Sequence, residues 1–332
     1  MSYEFRRLDG SHNGELLALA AAVQTGGDSF RVLRDPDFFA LSRDFGEASY
    51  WGAFAGGRLV GCVGLTRQKR FLGASARDAY YQHDLRVHPA HRNWTVLHGL
   101  LCRIYDDNPA PWLFTTILDG NENSPKFARA MQRFLGARPI GRTVHAGVPL
   151  FVPWRRAASR VVGLDPDRAW AAYVSLARTM DFAPADEARF RKPDGVFLGL
   201  RAAGRIAAVC KLVDQSASRR IVAVRSAGPA SRLLSLLCRL RGRAALPRPG
   251  QALRHAYLAY CAGEPGLGYR AEFLAYLSRS REHDFSYAFL GLPEREAAFR
   301  RGPLTVALCS TTYACGRIPD GLAFSFHELT LV

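Results

Sequence analysis

Residues 80–101, YYQHDLRVHPAHRNWTVLHGLL, constrain the fold more than any other stretch, because they predict a strand, a tight turn and a helix in that order. The apolar positions of the strand recur with the two-residue period of a half-buried strand: Tyr81, His83, Leu85 and Val87. Pro89 ends this strand, and helical spacing begins after it: Val96, Leu97, Leu100 and Leu101. The free amides of the first helical turn, beside Arg92, predict an anion site suited to phosphate.

The segments on either side of residues 80–101 also have the patterns of strands and helices. Residues 50–68 hold two apolar runs around a Gly-Gly dipeptide, which supplies the positive φ of a hairpin turn. Residues 112–118 predict another strand, and residues 124–135 predict an amphipathic helix after a polar turn. The predicted order in the first half is therefore helix, hairpin, strand, helix, strand, helix.

The run VHPAHRNWTVL, residues 87–97, resembles the acyl-CoA loop of the GCN5-related N-acetyltransferase (GNAT) superfamily, where V-x-P-x-x-R enters a glycine-rich turn. The matching positions are Val87, Pro89 and Arg92. Thr95 and Leu97 stand where the family has small residues, which favours a donor other than plain acetyl-CoA. The resemblance implies an α/β fold with a mixed, mostly antiparallel twisted sheet flanked by helices, and an acyl donor held as a pantetheine thioester.

A length of 332 residues and an internal repeat predict two such domains in tandem. GRLVGCVGL, from Gly57, is echoed by GRIAAVCKL, from Gly204, and we pair the strand at 113–118 with residues 255–261. No loop motif follows the predicted strand at 221–224, so the donor site is assigned to the first half. The predicted parts are an N-terminal GNAT-like domain over 1–152, a linker over 153–166 and a degenerate C-terminal GNAT-like domain over 167–332.

Acyl transfer to an amine needs a base, donors for the thioester carbonyl and an acid for the leaving thiolate. His83 is the first candidate for the base, because imidazole titrates near neutrality and some amine acetyltransferases of the resembling family carry histidines there. Asp84, expected on the opposite strand face, is the alternative base. A structural histidine and an arginine-paired aspartate would explain the same two residues.

The usual acid of the resembling family is a tyrosine, and Gln132 stands at that position here. The proton would then come from water or from one of three tyrosines: Tyr80, Tyr81 and Tyr313. The predicted catalytic set is His83, Asp84 and Tyr81.

The resemblance also implies where the donor binds, since a bulge in such folds frees amides on the motif strand. The implied contacts are Leu85, Arg86, Val87, Arg92, Asn93, Trp94, Thr95, Val96, Leu97 and Asn123. Asn123 serves either the pantetheine arm or the shape of its own turn. Four histidines lie close in sequence, at 83, 88, 91 and 98, but no Cys pair or H-E-x-x-H accompanies them, so no metal site is predicted.

The charge balance predicts acidic partners, because 45 Lys and Arg residues stand against 29 Asp and Glu, a net charge of +16. Acyl-CoA phosphates, an acidic acyl carrier protein or a peptide substrate would suit this charge. Scattered arginines without finger spacing or a basic tail argue against nucleic acid. Seven cysteines without metal spacing predict free thiols and a cytoplasmic location, and no apolar run is long enough for a membrane span.

The predicted activity is N-acyl transfer from acyl-CoA or an acyl carrier protein to a primary amine of a small molecule or peptide. Two alternatives stay open, because a fold does not fix a function. One is a non-catalytic module of the same fold that binds acyl-CoA, and the other is a thioester decarboxylase.

Overall fold

The computed structural model describes residues 2–23, 30–107, 112–119, 124–152, 160–225, 229–294 and 304–316. The strands are β1 Glu4–Leu8, β2 Phe30–Leu33, β3 Glu47–Ala55, β4 Arg58–Leu72, β5 Ser75–Val87, β6 Trp112–Leu118, β7 Arg138–Pro149, β8 Val161–Leu164, β9 Gly195–Ala202, β10 Arg205–Asp214, β11 Arg220–Ala223, β12 His255–Gly263, β13 Tyr287–Pro293 and β14 Val306–Gly316. The α-helices are α1 Asn13–Ala22, α2 Ala40–Phe45, α3 Trp94–Asp107, α4 Ser124–Leu135, α5 Pro166–Ala177, α6 Glu187–Phe190, α7 Pro229–Leu240 and α8 Tyr269–Arg279.

One sheet of 12 strands runs through the molecule in the order β1-β3-β4-β5-β6-β14-β7-β13-β12-β10-β9-β8. Within the described residues, its strand pairs are antiparallel except for β5 with β6 and β12 with β13. Strands β2 and β11 form a separate two-stranded sheet. The predicted fold class, a mixed and mostly antiparallel sheet flanked by helices, is therefore confirmed, with the sheets of the two halves joined edge to edge.

The halves exchange strands at the centre of this sheet. The C-terminal strand β14 lies between β6 and β7, and β7 pairs on its other side with β13. This arrangement leaves neither half with an open central edge, which would otherwise invite unwanted pairing. The division into residues 1–152 and 167–332 stays a prediction, while β8, at Val161–Leu164, occupies part of the segment that we expected to be a linker.

The two halves repeat the same plan, and this repeat corrects one pairing made from the sequence. Both β5 and β12 are antiparallel to a long hairpin strand, β4 or β10, and parallel to the next strand over three residue pairs. Hence β12 and α8 correspond to β5 and α3, and our pairing of residues 255–261 with the strand at 113–118 is wrong. The 221–224 segment is also not a motif strand, because β11 pairs with β2 outside the main sheet.

The helices cover both faces of the sheet. On one face of the first half, α3 and α4 enclose a core that includes Val96, Leu100 and Met131. On the opposite face, α1 and α2 pack against the hairpin of β3 and β4 through Leu16 and Leu41, among others. Strand β5 passes between these two layers of helices.

Candidate functional site

A β-bulge interrupts β5 at Asp84. Gly64 of β4 is opposite His83 and Cys62 is opposite Arg86, so two residues of β5 face the single residue between them. Asp84 takes a positive φ of 49°. The extra residue reverses the alternation of side chains from this point onward.

The reversal changes which predicted residues share a face. Tyr81 packs into the α2 core with Leu41 and Phe45, whereas Leu85 and Val87 pack against the α3 core. Our expectation of one common face for Tyr81, His83, Leu85 and Val87 is therefore wrong. The expectation that Asp84 lies opposite His83 is wrong for the same reason, since the two side chains are hydrogen bonded.

Strand β5 parts from β6 just before the bulge. Residues Tyr80–Gln82 pair with Leu113–Thr115, and the Thr115 hydroxyl donates to the Gln82 carbonyl at 3.0 Å. The described residues of the two strands do not pair past this point, so the strands form a fork that opens beside the start of α3. Residues lining its arms keep partial exposure: Leu85, Val87, Ile117 and Leu118.

The Asp84 carboxylate is the centre of a buried polar cluster. It accepts hydrogen bonds from Arg34 at 2.8 Å, Tyr50 at 3.0 Å and Arg86 at 3.2 Å. Burial alone would raise the pKa of Asp84, but the guanidinium of Arg34, the hydrogen bond to His83 and the charge of Arg86 hold it well below its usual range. Asp84 is therefore ionised and neutralised inside the protein.

His83 has both ring nitrogens in hydrogen bonds. Nδ1 lies 3.1 Å from the Asp84 carboxylate and Nε2 lies 2.7 Å from the Thr66 hydroxyl. Burial lowers the pKa of His83, although the bond to Asp84 acts in the opposite direction. The neutral ring with its proton on Nδ1 satisfies both bonds, because Nδ1 donates to Asp84 and Nε2 accepts from Thr66.

All three residues of the predicted catalytic set are buried. No part of the His83 or Asp84 side chain is exposed, and Tyr81 is 2% exposed and stacks on the His83 ring. The hydrogen bonds of His83 and Asp84 connect the bulge to β3 and β4. Direct proton transfer by His83, Asp84 or Tyr81 stays a prediction.

The start of α3 presents a polar, exposed surface beside the fork. The Asn93 side-chain oxygen accepts from the Val96 amide at 3.1 Å, so it caps a first-turn amide that an anion could otherwise take. Arg92, Trp94 and Thr95 are exposed and Leu97 is half-buried, whereas Val96 packs in the core. Asn123 lies outside the described residues.

Two tyrosines named as candidate acids lie on the fork's α3 side. Tyr313 of β14 is directly opposite Thr115, which is itself opposite Gln82, and cross-strand partners share a face. Tyr80 lies on the same face two residue pairs further from the fork's mouth. Gln132 is exposed on α4.

The second half contains an equivalent bulge and loop that sequence reasoning missed. Tyr260 has a φ of 51°, and β12 leads through Gly266 and Gly268, with φ of 83° and 57°, into α8. The available signal was a G-x-G directly before a helix. The residues along this second fork are buried, however: Leu258, Cys261, Leu290 and Leu292. Of the two forks, the first is the more open.

Sequence reasoning also missed the partners that reach the site from distant elements. Arg34, Tyr50 and Thr66 are 50, 34 and 17 residues from the groups they bind. No local spacing indicates such contacts. Further along the same sheet face, His145 bonds the Ser310 hydroxyl at 2.7 Å across 165 residues.

Two buried histidines of this face predict a pH dependence of stability. Burial lowers the pKa of His145 to about 3 and that of His255 to about 4, against about 6.5 in an unfolded chain. Below about pH 6.5 the unfolded chain binds protons that the folded chain does not, so stability is full above that pH and is lost as pH falls. Each histidine should remove about 1.4 kcal/mol of unfolding free energy per pH unit between pH 6 and pH 4.5.

Urea unfolding of His145→Gln across pH 4.5–7 tests this expectation. The slope of unfolding free energy against pH should fall by about 1.4 kcal/mol per unit in the variant. His98→Gln, which changes an exposed histidine of α3, is the matched control and should keep the wild-type slope. An unchanged slope in His145→Gln would contradict a neutral buried His145.

Comparison with known proteins identifies this architecture. No protein-family model and no curated protein sequence matches the chain. Among solved structures, it is similar to Saccharomyces cerevisiae N-myristoyltransferase with bound myristoyl-CoA, at 10% identity and a TM-score of 0.59, covering 95% of this chain and 82% of that one.

Two bacterial structures are also similar. A GCN5-related N-acetyltransferase from Kribbella flavida gives 11% identity, a TM-score of 0.51 and coverage of 94% of this chain and 71% of that one. One from Anabaena variabilis gives 8% identity, a TM-score of 0.52 and coverage of 94% and 72%. The predicted fold is therefore confirmed: the chain has the fold of the GCN5-related N-acetyltransferase superfamily, in a tandem two-domain form.

Three further observations concern membrane-spanning helices, cysteines and metal sites. No helix within the described residues is long and apolar enough to cross a membrane. All seven cysteines are free thiols, five of them buried. The described part of the chain shows no group of three or more His, Cys, Asp or Glu side chains placed to hold a metal ion.

Proposed function

We propose that the protein is an N-acyltransferase that moves an acyl group from a pantetheine thioester to a primary amine. The observation that carries this proposal is the fork between β5 and β6, held open by the Asp84 bulge beside the start of α3. Such a fork admits a narrow extended thioester arm between two strands, while the helix start and Arg92 favour its phosphates.

The reaction breaks the thioester C–S bond and forms an amide C–N bond. Backbone amides around Leu85–Val87, past the bulge, would stabilise the charge that develops on the carbonyl oxygen. Tyr313 would give its proton to the departing thiolate, because its side chain lies on the fork's α3 side. The ammonium proton would leave through water or through His83, whose neutral ring is bonded to the Thr66 hydroxyl. Positioning of amine and thioester would supply much of the rate.

The donor is either acyl-CoA or an acylated carrier protein. Myristoyl-CoA is bound in the similar structure of Saccharomyces cerevisiae N-myristoyltransferase. The net charge of +16 suits the phosphates of either donor and the acidic surface of a carrier protein. The half-buried apolar arms of the fork, Leu85, Val87, Ile117 and Leu118, suit an acyl chain longer than acetyl.

Thiol release from acyl-CoA and acyl carrier protein donors of increasing chain length, with and without added amines, tests the proposal. We expect release that depends on the amine and an amide product in the mass spectrum. Release with loss of CO2 would instead identify a thioester decarboxylase. Donor binding without release would identify a binding module, a second candidate favoured by the closed hydrogen bonding of His83 and by Gln132.

A further inference from the structure

The exposed face of helix α7 carries a stripe of leucine side chains. Leu233, Leu236 and Leu240 are 70%, 52% and 76% exposed. Their spacing of three and four residues places them on one face of the helix. Cys238 lies on the opposite face and is buried. The leucines are therefore held away from the protein core with half or more of their surface in water, where apolar surface is unfavourable.

Arginines border this leucine stripe. Arg232 precedes Leu236 by four residues and Arg239 follows it by three, so both side chains lie beside it on the helix surface. Both arginines are exposed. The surrounding sequence carries the same sign of charge, because residues 215–263 contain nine arginines and no Asp or Glu. The stripe is therefore apolar at its centre and cationic at its border.

A second group of exposed apolar side chains lies at the start of β14. Leu304, Val306 and Leu308 are 45%, 50% and 54% exposed. Strands β13 and β14 are both antiparallel to β7, and both begin opposite its C-terminal end. The start of β14 therefore lies at the same edge of the sheet as the start of β13.

Hydrogen bonds place the end of α7 at this same edge. The Arg243 amide donates to the Cys238 carbonyl, in the last turn of α7, at 2.8 Å. The Arg243 side chain donates to backbone carbonyls at the end of α8. The next residue, Ala244, accepts from the Ser286 hydroxyl at 2.6 Å, directly before β13. The last turn of α7 and the start of β14 therefore lie near one edge of the sheet.

We propose that α7 and the start of β14 dock the protein on a lipid bilayer that contains anionic lipid. The leucines enter the bilayer below the headgroups, while Arg232 and Arg239 pair with lipid phosphates, as in other amphipathic helices at membrane interfaces. A bilayer surface reaches both apolar groups at once, because they lie near one edge. This inference does not depend on the proposed acyl transfer.

Charge and shape favour a bilayer over other occupants of this surface. A second copy of the chain would bring its own arginines against Arg232 and Arg239, and like charges repel across an interface. With exposures of up to 76%, the leucines project as a ridge and do not line a groove. A fluid bilayer accepts a ridge of any shape, whereas a carrier protein must supply a complementary groove.

Sedimentation of the full chain with lipid vesicles tests the proposal. Wild type should bind phosphatidylcholine vesicles that contain phosphatidylglycerol about tenfold or more tightly than vesicles of phosphatidylcholine alone. Leu240→Ser should lower the partition constant about tenfold, because the most exposed leucine of the stripe no longer leaves water. Arg239→Gln should lower binding to the anionic vesicles about fivefold, because it removes one charge near the lipid surface.

Two exposed residues elsewhere provide matched single controls. Val196 is 57% exposed on β9, and Arg168 is exposed on α5. Val196→Ser and Arg168→Gln should both bind vesicles as wild type does. Losses in these controls equal to those of Leu240→Ser and Arg239→Gln would overturn the inference. Binding of wild type to neither kind of vesicle would also overturn it.

Fluorescence tests the contact without relying on a loss of binding. Emission added by Leu236→Trp should be quenched by brominated lipid in anionic vesicles, and emission added by Val196→Trp should not. Equal quenching of the two, or quenching of neither, would overturn the inference. A lipid-free dimer that Leu240→Ser dissociates would instead identify a second copy as the occupant. Binding of an acidic carrier protein that Leu240→Ser abolishes, without vesicle binding, would identify that partner and overturn the inference.

Discussion

Asp84→Ala should lower the free energy of unfolding by about 3–5 kcal/mol, which is the usual cost of removing one partner from a buried ion pair. The Asp84 carboxylate has no exposed atoms and neutralises both Arg34 and Arg86. Without it, two guanidinium groups lose their counter-charge and the Tyr50 hydroxyl loses a hydrogen-bond acceptor. Urea unfolding at pH 7 measures the loss.

Asp78→Ala provides the matched control for this prediction. Asp78 also lies on β5 and pairs with Arg67 at 2.6 Å, but both side chains are exposed. A surface pair of this kind contributes about 1 kcal/mol or less. Equal losses in the two variants would show that burial of the Asp84 cluster does not stabilise the fold.

We also expect the Asp84→Ala substitution to change the proposed donor site. The proposed function predicts that an acyl-CoA donor raises the Tm of wild type. We expect Asp84→Ala to weaken that rise, because Asp84 lies at the bulge just past the point where β5 parts from β6. Asp78→Ala should keep that response. If donor stabilisation is unchanged in Asp84→Ala, the bulge does not shape the donor site.

Tyr313→Phe should lower kcat for amine acylation by about 10²-fold, in the range of general acid catalysis, with little change in the KM of the donor. The substitution removes only the hydroxyl of a half-buried ring, so packing in the α3 core is retained. Steady-state kinetics with a saturating amine measure the effect.

Tyr80→Phe is the comparison for this second prediction, because Tyr80 lies on the same face of the sheet two residue pairs away. We expect Tyr80→Phe to keep at least a third of the wild-type kcat. If it shows the larger loss, Tyr80 is the acid and Tyr313 is not. If neither variant is impaired, the leaving thiolate takes its proton from water.

Several parts of this fold were predictable from the sequence because they depend on local patterns. The Gly56–Gly57 turn joins β3 and β4 as its composition indicates, and Pro89 separates β5 from α3 as expected. The V-x-P-x-x-R resemblance gave the correct fold. Each of these features is determined by residues within a few positions of one another.

The geometry of the site could not be predicted from local patterns, because it depends on contacts between residues far apart in sequence. A single residue at the bulge decides which face His83, Leu85 and Val87 occupy, and strand periodicity carries no sign of that extra residue. The second bulged strand was misassigned for a similar reason, since apolar strands look alike until their partners are known. Strand β14, which brings Tyr313 to the fork, is about 200 residues away from its partner β6 in sequence.

By itself, the sequence determined the type of fold, the basic charge and the order of strand, turn and helix over residues 80–101, because composition and short periodicities encode them. The tertiary structure decided that His83 and Asp84 are buried and hydrogen bonded to each other, and that residues lining the first fork keep partial exposure while those lining the second are buried. Each of these properties depends on contacts with residues from distant segments of the chain. Burial, charge compensation and strand separation exist only once those segments have packed together.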